Sequence, residues 1–478
     1  GSSYVLAQAR SRRSESRRRS GGRDKMDGHA AHRLHTVTRH LVPQGHASTT
    51  PRTPFISQRS RRMVSHGVAA TGKRLLEGIK VVELATVVAA PACCAILADL
   101  GADVLKIENP DIPDTTRGWI KMDDPAKTPD PVRMTGSHFS QLNRGKSSIT
   151  LNYQEPEGLQ ILKRLMAGAD IFVTNVRNKS LKKLGLDYES VSKDMPQLIY
   201  GHLSAWGQEG PKKDDPGYDF GAFWAYSGIM DLARYDDDAG MPRFVASIGD
   251  NTTAMQLVAG LALALLHRQI TGEGQFVDAA LLRSGIWSLS HPISCRFGGS
   301  SWASGKKNEG VRGPWETGPP ITMGVFRCKD DRWIQLLGME AGKHWNKTLA
   351  ALGIPGKIKL NSKTNFAVAR EEATAIIRQK TYAEWHDIFD AADVWHSPVN
   401  RFEDIPDDPQ ANAVGAFREV PGLRHKLIGI PVQLSSQAGK DGPRGPAPAF
   451  GEHTAAVLAD LGYSLQDVEQ LRQRKIVK

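Results

Sequence analysis

The sequence predicts an α/β protein built around a parallel sheet. Short apolar runs alternate with helical stretches, an order typical of parallel strands joined by helices. The first run, residues 79–85 (IKVVELA), is apolar in five of its seven positions, as in a strand covered on both faces. The 478 residues suffice for two or three domains. The longest wholly apolar run has ten residues (257–266), whereas a membrane span needs roughly 20.

The elements follow in a regular order. Pro91 suits the first turn of a helix that runs to Leu100, and a second buried strand follows at residues 104–108, which completes a βαβ unit. Further strands are predicted at residues 148–152, 171–174 and 198–202, with helices at residues 156–166 and 254–268.

A second, smaller pattern of strands and helices follows a Gly- and Ser-rich stretch at residues 296–320. It predicts strands at residues 324–328 and 333–337 and helices at residues 341–352, 371–379 and 382–391. A Gly- and Pro-rich segment (434–449) and a terminal helix (452–474) end the chain. We take the second pattern as a smaller α+β domain.

The basic residues in excess all lie in one tail. The net charge of the whole chain is +11, and residues 1–74 alone carry +13. The remaining residues therefore carry a net charge of −2. A nearly neutral body argues against a nucleic-acid groove or a membrane-binding face on the folded protein. Residues 1–72 have few apolar residues and no periodicity, which predicts a disordered tail. Their Arg- and Ser-rich composition fits a mitochondrial presequence, with a cytoplasmic location as the alternative.

The cysteines indicate a reducing compartment and no metal site. The four residues, Cys93, Cys94, Cys295 and Cys328, form no CxxC pair. Adjacent cysteines have poor geometry for a disulfide or for zinc.

The sequence motifs of several common enzyme classes are incomplete or absent. Glu108 ends the second strand, where a ribose-binding acid would stand, but the preceding turn (86–90) lacks glycine, so no dinucleotide fingerprint is present. Residues 145–147 (GKS) resemble the end of a phosphate loop but lack its upstream glycine. GxSxG and HExxH are absent. His386 and Asp390 have the HxxxD spacing of some acyltransferases, but on an amphipathic helix a surface pair is the simpler interpretation.

Three segments carry a more specific pattern. The first joins residues 76–91 to ADLGADVLKIE at 98–108, and the second is NRGKSSI at 143–149. The third joins PGYDF at 216–220 to residues 227–228, 249–250 and TGEGQ at 271–275. In this order and spacing they resemble the class III CoA-transferases, which include formyl-CoA and carnitine CoA-transferases and 2-methylacyl-CoA racemases. FGEHT at 450–454 resembles the C-terminal motif of that family. The resemblance covers residues 75–478.

The resemblance implies a fold that periodicity alone does not give. Two chains are expected to form interlocked rings in a homodimer. Each has a large CoA-binding domain built from residues 73–295 and a return segment, 396–478, while residues 296–395 form the linker and small domain.

Asp250 matches the nucleophile of the family. Locally, we predict a strand at residues 243–248, after which Gly249 and Asp250 lead into a helix. Alternatively, Asp250 is the N-cap residue of that helix, and the same side chain can be both cap and nucleophile. Because a helix N-terminus favours an anion, we expect Asp250 to be ionised at neutral pH. Its carboxylate would attack an acyl-CoA carbonyl and form an anhydride, and then an aspartyl-CoA thioester.

The resemblance also implies contacts to CoA, which is a substrate here and not a permanently bound cofactor. The expected contact residues are Val88, Ala89, Asn109, Leu151, Asn152, Tyr153, Asn175, Val176, Arg177, Lys183, Gly217 and Tyr218. Lys183 stands where the formyl-CoA type has an arginine, which keeps the charge but loses the bidentate fork.

The family contains transferases and racemases, and one position separates them. The racemases use a His in a Gly-His-Asp motif to remove the α-proton, and this chain has Gly217-Tyr218-Asp219. A tyrosine with a pKa near 10 is a poor base at neutral pH, which favours a transferase. The alternatives are a racemase-type isomerase and an inactive homologue whose basic tail binds nucleic acid or membrane.

The partners implied are an acyl-CoA and a small carboxylic acid. Arg117 is a candidate partner for a distal carboxylate, which would suit succinate, glutarate or itaconate. Trp119 is a candidate wall of the acyl pocket. Gly313 and Gly318 lie where the family has a glycine-rich loop that covers the intermediate, although this segment is poorer in glycine.

Overall fold

The computed structural model describes residues 73–122, 136–234, 240–299, 321–354, 363–437 and 442–478. The predicted tail, residues 1–72, lies outside them. No helix within these ranges is long and apolar enough to cross a membrane.

A parallel sheet of six strands forms the first core, which confirms the predicted α/β fold, although only five of these strands were predicted. Its strands are β1 (Lys80–Leu84), β2 (Asp103–Glu108), β3 (Ser147–Thr150), β4 (Ile171–Thr174), β5 (Ile199–Ser204) and β6 (Phe276–Ala280). Their order is β3-β2-β1-β4-β5-β6, and Val82 pairs with Leu105 on one side and Phe172 on the other. The order reverses between β1 and β4, where sheets of this type leave a crevice for ligands at the carboxyl ends.

Helices cover both faces of this sheet. The helices of this part of the chain are α1 (Ala89–Asp99), α2 (Ser137–Asn143), α3 (Pro156–Ala167), α4 (Asn178–Leu184), α5 (Tyr188–Asp194), α6 (Ile229–Leu232), α7 (Ile248–Thr271), α8 (Leu281–Ser288) and α9 (Ser290–Phe297). On one face, α1 and α7 pack over Val81 and Val173. The opposite face buries Ile107 and Phe172. Burial on both faces explains why β1 and β4 are mostly apolar, whereas β3 (SSIT) has a single apolar residue.

A small antiparallel sheet forms a second core. Its strands β7 (Val325–Arg327), β8 (Trp333–Leu336) and β9 (His396–Val399) pair in that order. Helices α10 (Ala341–Ala351), α11 (Lys363–Ile377) and α12 (Tyr382–Ala391) accompany it. The predicted boundary after residue 395 is wrong in one respect, because β9 belongs to this sheet and not to the return segment.

The C-terminal segment returns to the edge strand β3. After α13 (Pro409–Ala413) and the short pair β10 (Phe417–Arg418) and β11 (Leu427–Ile428), the chain ends in α14 (Thr454–Asp460) and α15 (Leu465–Gln473). The His453 amide donates to the Ser148 carbonyl at 2.9 Å. The single terminal helix that we predicted is therefore two, because Gly462 adopts φ 89°, a left-handed conformation that ends a helix.

Candidate active site

A cavity of about 1270 Å³ lies at the carboxyl ends of β1, β4 and β5. The segments that follow these strands line it at residues 86–89, 175, 177–179 and 204–209. Residues 213–220, 244, 246–247 and 250 also line it. The cavity therefore occupies the crevice at the point where the strand order reverses. Its volume exceeds that of most small-molecule pockets, so it has room for a long ligand.

Asp250 lines this cavity as the third residue of α7. The predicted strand before it is wrong, because residues 243–247 form no strand and the helix begins at Ile248. Ser247, with φ 67°, is the N-cap residue, and its amide donates to Oδ2 of Asp219 at 2.9 Å. Asp219 thus meets the helix N-terminus, and Asp250 does not cap it. No described residue donates a hydrogen bond to the Asp250 carboxylate, which leaves that group free for a ligand.

The pKa of Asp250 is raised to about 7, because burial and the nearby Asp219 carboxylate disfavour its charged form. We expected the helix N-terminus to keep Asp250 ionised at neutral pH, and this expectation is wrong. The N–H of Ser247 is already bonded to Asp219, so the helix end stabilises Asp219 instead.

This pKa predicts the pH dependence of any reaction in which Asp250 is the nucleophile. We expect kcat/KM to rise about tenfold per pH unit below pH 7 and to level off above it, because only the carboxylate attacks. Replacing Asp219 with Asn removes a negative neighbour, so the midpoint of the profile should move to lower pH. Asp231→Asn, at an exposed surface aspartate, is the matched control. An unmoved midpoint in Asp219→Asn would contradict this assignment of the pKa.

Gly249 is required by close packing beside Asp250. A Cβ at this position would overlap Oδ1 of Asp219 and Cγ of Phe223. Both side chains are buried, so neither has space to move away. Any substitution must therefore displace the first turn of α7, and Asp250 with it.

We predict that Gly249→Ala lowers kcat/KM by about 100-fold, because displacements near 1 Å at reacting groups have effects of this size. Gly221→Ala is the control, since a Cβ there meets nothing within 4 Å. Steady-state kinetics of both variants would check this. Equal activities would mean that the helix start tolerates a side chain.

The turn after β1 is strained where it meets the cavity. Val87 has φ 72°, which is rare for a β-branched residue and is typical of functional sites. Its amide points at both carboxylate oxygens of Asp114, at 3.3 Å each. The strain persists because this carboxylate holds the turn.

A buried network of charges fixes that turn. The Lys106 ammonium lies 3.0 Å from Glu83 and 2.9 Å from Asp114, and it donates to the Ala85 carbonyl at 2.8 Å. Lys146 pairs with Glu83 at 2.6 Å. All four charged side chains are fully buried. Although burial raises the pKa of Asp114, the Lys106 charge and a bond from Thr116 hold that pKa below its ordinary value. Lysines of the KIE motif (106–108) and the NRGK motif (143–146) therefore stabilise the turn that lines the cavity.

Arg117 has a structural role, so its assignment to the substrate pocket is wrong. Its Nε and Nη2 donate to the two carboxylate oxygens of Glu108 at 2.9 and 2.7 Å. Its Nη1 donates to the Pro448 carbonyl at 3.1 Å. The guanidinium is only 2% exposed and does not line the cavity. Arg117 joins β2 to the C-terminal segment. Its Nε, Nη1 and Nη2 donors are all bonded to protein atoms, so they are not available to bind a substrate carboxylate.

The cavity contains part of the predicted contact set. Its lining includes Val88, Ala89, Trp119, Asn175, Arg177, Gly217 and Tyr218. The structure does not bring the following predicted residues to it: Asn109, Leu151, Asn152, Tyr153, Val176 and Lys183. Gly313 and Gly318 lie outside the described residues.

Three lysines that sequence reasoning missed line the cavity, namely Lys179, Lys182 and Lys213. Lys182 precedes the predicted Lys183 by one residue, and the helical turn of α4 gives the two side chains different directions. The lining also holds acidic residues, and Lys182 pairs with Glu189 at 3.3 Å, so Arg177, Lys179 and Lys213 are the lining cations for which the described residues show no ion pair.

Aromatic side chains form another section of the cavity wall. Tyr218 stacks on Phe220 with ring centroids 5.7 Å apart, and Phe220 contacts Phe244 at 5.4 Å. Trp119 stacks on His138 at 4.9 Å. We had not predicted Phe220, Phe244 or His138 as site residues. The only signal in the sequence was that Phe220 lies inside the PGYDF motif.

His202 lines the cavity as a neutral side chain. Burial lowers its pKa. Its Nε2 lies 3.0 Å from the Val176 carbonyl, and its Nδ1 lies 2.7 Å from Nε2 of Gln208. Both ring nitrogens are thus engaged, which makes His202 a poor proton acceptor for a substrate.

Comparisons with known proteins agree with the motifs. The model of CoA-transferase family III matches residues 76–454. An (R)-2-hydroxy-4-methylpentanoate CoA-transferase of Clostridioides difficile is 31% identical over 415 residues, 84% of this chain and 100% of its own. A succinate–glutarate CoA-transferase of Agrobacterium fabrum is 32% identical over 412 residues, 81% of this chain and 95% of its own. The crystal structure of a CaiB/BaiF family protein from Brucella suis has a TM-score of 0.67 at 29% identity and covers 81% of this chain and 99% of that one.

Proposed function

Because this chain belongs to CoA-transferase family III, we propose that it moves CoA from an acyl-CoA thioester to a free carboxylic acid through covalent catalysis at Asp250. The observation that carries the proposal is the Asp250 carboxylate itself. It faces a cavity large enough for CoA, and it accepts no hydrogen bond from the described residues.

The first half of the reaction loads the enzyme. The Asp250 carboxylate attacks the thioester carbonyl, the C–S bond breaks, and CoA leaves as thiolate with the donor acyl group held as a mixed anhydride. The thiolate then attacks the aspartyl carbonyl of this anhydride. The donor acid leaves as a carboxylate, and an aspartyl-CoA thioester remains.

The second half runs the same steps with the acceptor. The acceptor carboxylate attacks the aspartyl thioester and releases CoA thiolate, which forms a second mixed anhydride. The thiolate attacks the acceptor acyl carbonyl, giving the new acyl-CoA and the free Asp250 carboxylate. Each intermediate keeps the free energy of the thioester, so the reaction needs no nucleotide and no permanently bound cofactor.

The cavity supports one orientation of CoA. Arg177 and Lys179, which follow β4, and Lys213 line the cavity and would meet the phosphates of CoA. Val88 and Ala89 follow the strained Val87 and offer apolar contact to the pantetheine arm. The thioester would then lie between this turn and Asp250.

We propose an apolar or aromatic monocarboxylic acid as the first acceptor class. Tyr218, Phe220 and Phe244 line the cavity that contains Asp250, and the guanidinium of Arg117 is already paired. A relative named for (R)-2-hydroxy-4-methylpentanoate accords with this class. A dicarboxylic acid such as succinate, glutarate or itaconate is the second candidate, which a relative named for succinate and glutarate supports.

The test is a CoA-exchange assay that also measures racemisation. The enzyme is incubated in D₂O with an acyl-CoA and a panel of apolar, aromatic and dicarboxylic acids, and the products are analysed by mass spectrometry. We expect a new acyl-CoA from one acid class and no deuterium at the α-carbon, because Tyr218 and neutral His202 are poor bases. Deuterium wash-in at a branched acyl-CoA without transfer would identify a racemase. Neither activity, with salt-sensitive binding through residues 1–72, would identify an inactive homologue.

We also propose a homodimer. Large apolar side chains are exposed on the described part of one chain, including Leu263, Ile270, Trp287, Phe297 and Phe402 at 66–89% exposure. Such surfaces are typical of subunit interfaces. Light scattering should give twice the mass of one chain.

We retain mitochondrial import as a proposal for residues 1–72, on their composition. A fluorescent fusion carrying these residues should enter mitochondria. The same fusion without them should remain in the cytosol.

A further inference from the structure

A cluster of potential ligands lies in the small domain, apart from the cavity that contains Asp250. We propose that His386, Asp390 and His396 form a binding site for a divalent transition metal of the zinc class. One possible ligand atom from each residue lies within 4.8 Å of the other two. None of the three residues lines the Asp250 cavity, so the proposal concerns a separate site and assigns the metal no part in CoA transfer.

The spacing of the three side chains suits one small cation. His386 and Asp390 are one turn apart on α12, with Nε2 of His386 3.6 Å from Oδ2 of Asp390. Nε2 of His396 lies 3.9 Å from Oδ1 of Asp390 and 2.9 Å from Nδ1 of His386. A tetrahedral Zn²⁺ with bonds of about 2.0–2.1 Å places its ligands roughly 3.3 Å apart. The 2.9 Å contact is a hydrogen bond from Nδ1 of His386 to Nε2 of His396, which a cation would replace, whereas the 3.6 Å contact involves the other ring nitrogen of His386. One ligand atom from each residue lies within 4.8 Å of the other two, and rotation of the exposed His386 and Asp390 side chains would bring the three around one cation.

His396 is oriented as a metal ligand would be. Its Nδ1 lies 2.9 Å from the Val394 carbonyl, which can only accept, so Nδ1 carries the proton. Its Nε2 therefore presents a lone pair towards His386 and Asp390. A backbone carbonyl that bonds the other ring nitrogen is the usual outer partner of a metal-bound histidine. The ring is 6% exposed and packs against Phe389 at 5.6 Å, which restricts its rotation.

The site is also accessible and has the right charge. A cavity of about 480 Å³ adjoins it, and His386 and Asp390 are about half exposed. As metal ligands, two imidazoles and one carboxylate give a net charge of −1 to meet a divalent cation. Three protein ligands leave a fourth position for water. The metal would join α12 to β9, so binding should stabilise the small domain.

The test is cobalt binding by the full chain after removal of metals with a chelator. We expect Co²⁺ to produce a visible d–d band at one equivalent per chain, which Zn²⁺ then displaces. His396→Ala and Asp390→Asn should each lower the affinity at this site at least about tenfold. Asp387→Asn, an exposed aspartate on the same helix, and His425→Ala, an exposed histidine elsewhere, are the matched controls.

The histidines within residues 1–72 add the same background to every variant, so the quantity compared is the difference between variants. Zn²⁺ should also raise the Tm of the wild-type chain more than that of Asp390→Asn. Asp390 is exposed, so its replacement by Asn leaves the packing intact even if His396→Ala fails to fold. Equal cobalt spectra and equal Tm shifts in wild type and Asp390→Asn would overturn the proposal.

Discussion

Asp250→Asn should reduce kcat for CoA transfer by at least about 10⁴-fold, because the amide cannot form the anhydride and the loss of a nucleophile has effects of this order. The substitution keeps the shape of the side chain, so substrate binding should change little. A steady-state exchange assay at saturating acyl-CoA measures the effect. Asp250→Glu restores a carboxylate in a displaced position and should recover part of the rate.

Stability separates this effect from misfolding. The folded-state pKa of Asp250, about 7, lies above its unfolded value, so the folded state binds the extra proton and stability falls as pH rises from about 4 to 7. Above pH 7, Asp250→Asn removes a charge that destabilises the fold, and the variant should unfold at a higher urea concentration than the wild type. Transfer at more than about a tenth of the wild-type rate by this well-folded variant would refute Asp250 as nucleophile.

Lys106→Met should lower the free energy of unfolding by about 3–5 kcal/mol, because it leaves buried carboxylates without their cation. Lys106 pairs with Glu83 and Asp114, and all three side chains are fully buried. Methionine keeps the length of the side chain, so the loss reflects charge more than volume. Urea unfolding measured by circular dichroism would give the value.

The surface pair of Arg472 and Glu469 provides the control for this prediction. Both side chains are about half exposed, so Arg472→Ala should cost less than about 1 kcal/mol. If Lys106→Met folds, its KM for acyl-CoA should rise, since Lys106 and Asp114 hold the turn at Val87. A loss of stability as small as that of the control would show that the buried network contributes little.

Most strands of the parallel sheet could be predicted because the burial of a strand is reflected in its own consecutive residues. β1 and β4 are covered on both faces and are rich in apolar residues over four or five positions, so their location could be read along the chain. The sixth strand, β6, was missed because its residues are only partly buried until Ala279. The terminal helix was predicted as one element because its break depends on the backbone conformation of a single residue, Gly462.

Site residues that belong to a sequence motif could be predicted. Residues whose role depends on contacts between distant segments of the chain could not. Asp250 and Tyr218 follow from their motifs, and both line the cavity. The role of Arg117 depends on Pro448, more than 300 residues away, which no local pattern reveals. The pKa of Asp250 depends on burial and on Asp219, which folding brings beside the start of α7.

The central claim is that Asp250 carries the acyl group or CoA during transfer. The most direct measurement is mass spectrometry of the enzyme incubated with an acyl-CoA and trapped with hydroxylamine or borohydride, followed by peptide mapping. Covalent catalysis predicts a modified Asp250 in the wild type and no modification in Asp250→Asn. CoA transfer at the full rate with Asp250 unmodified, or a modification on another residue, would contradict it.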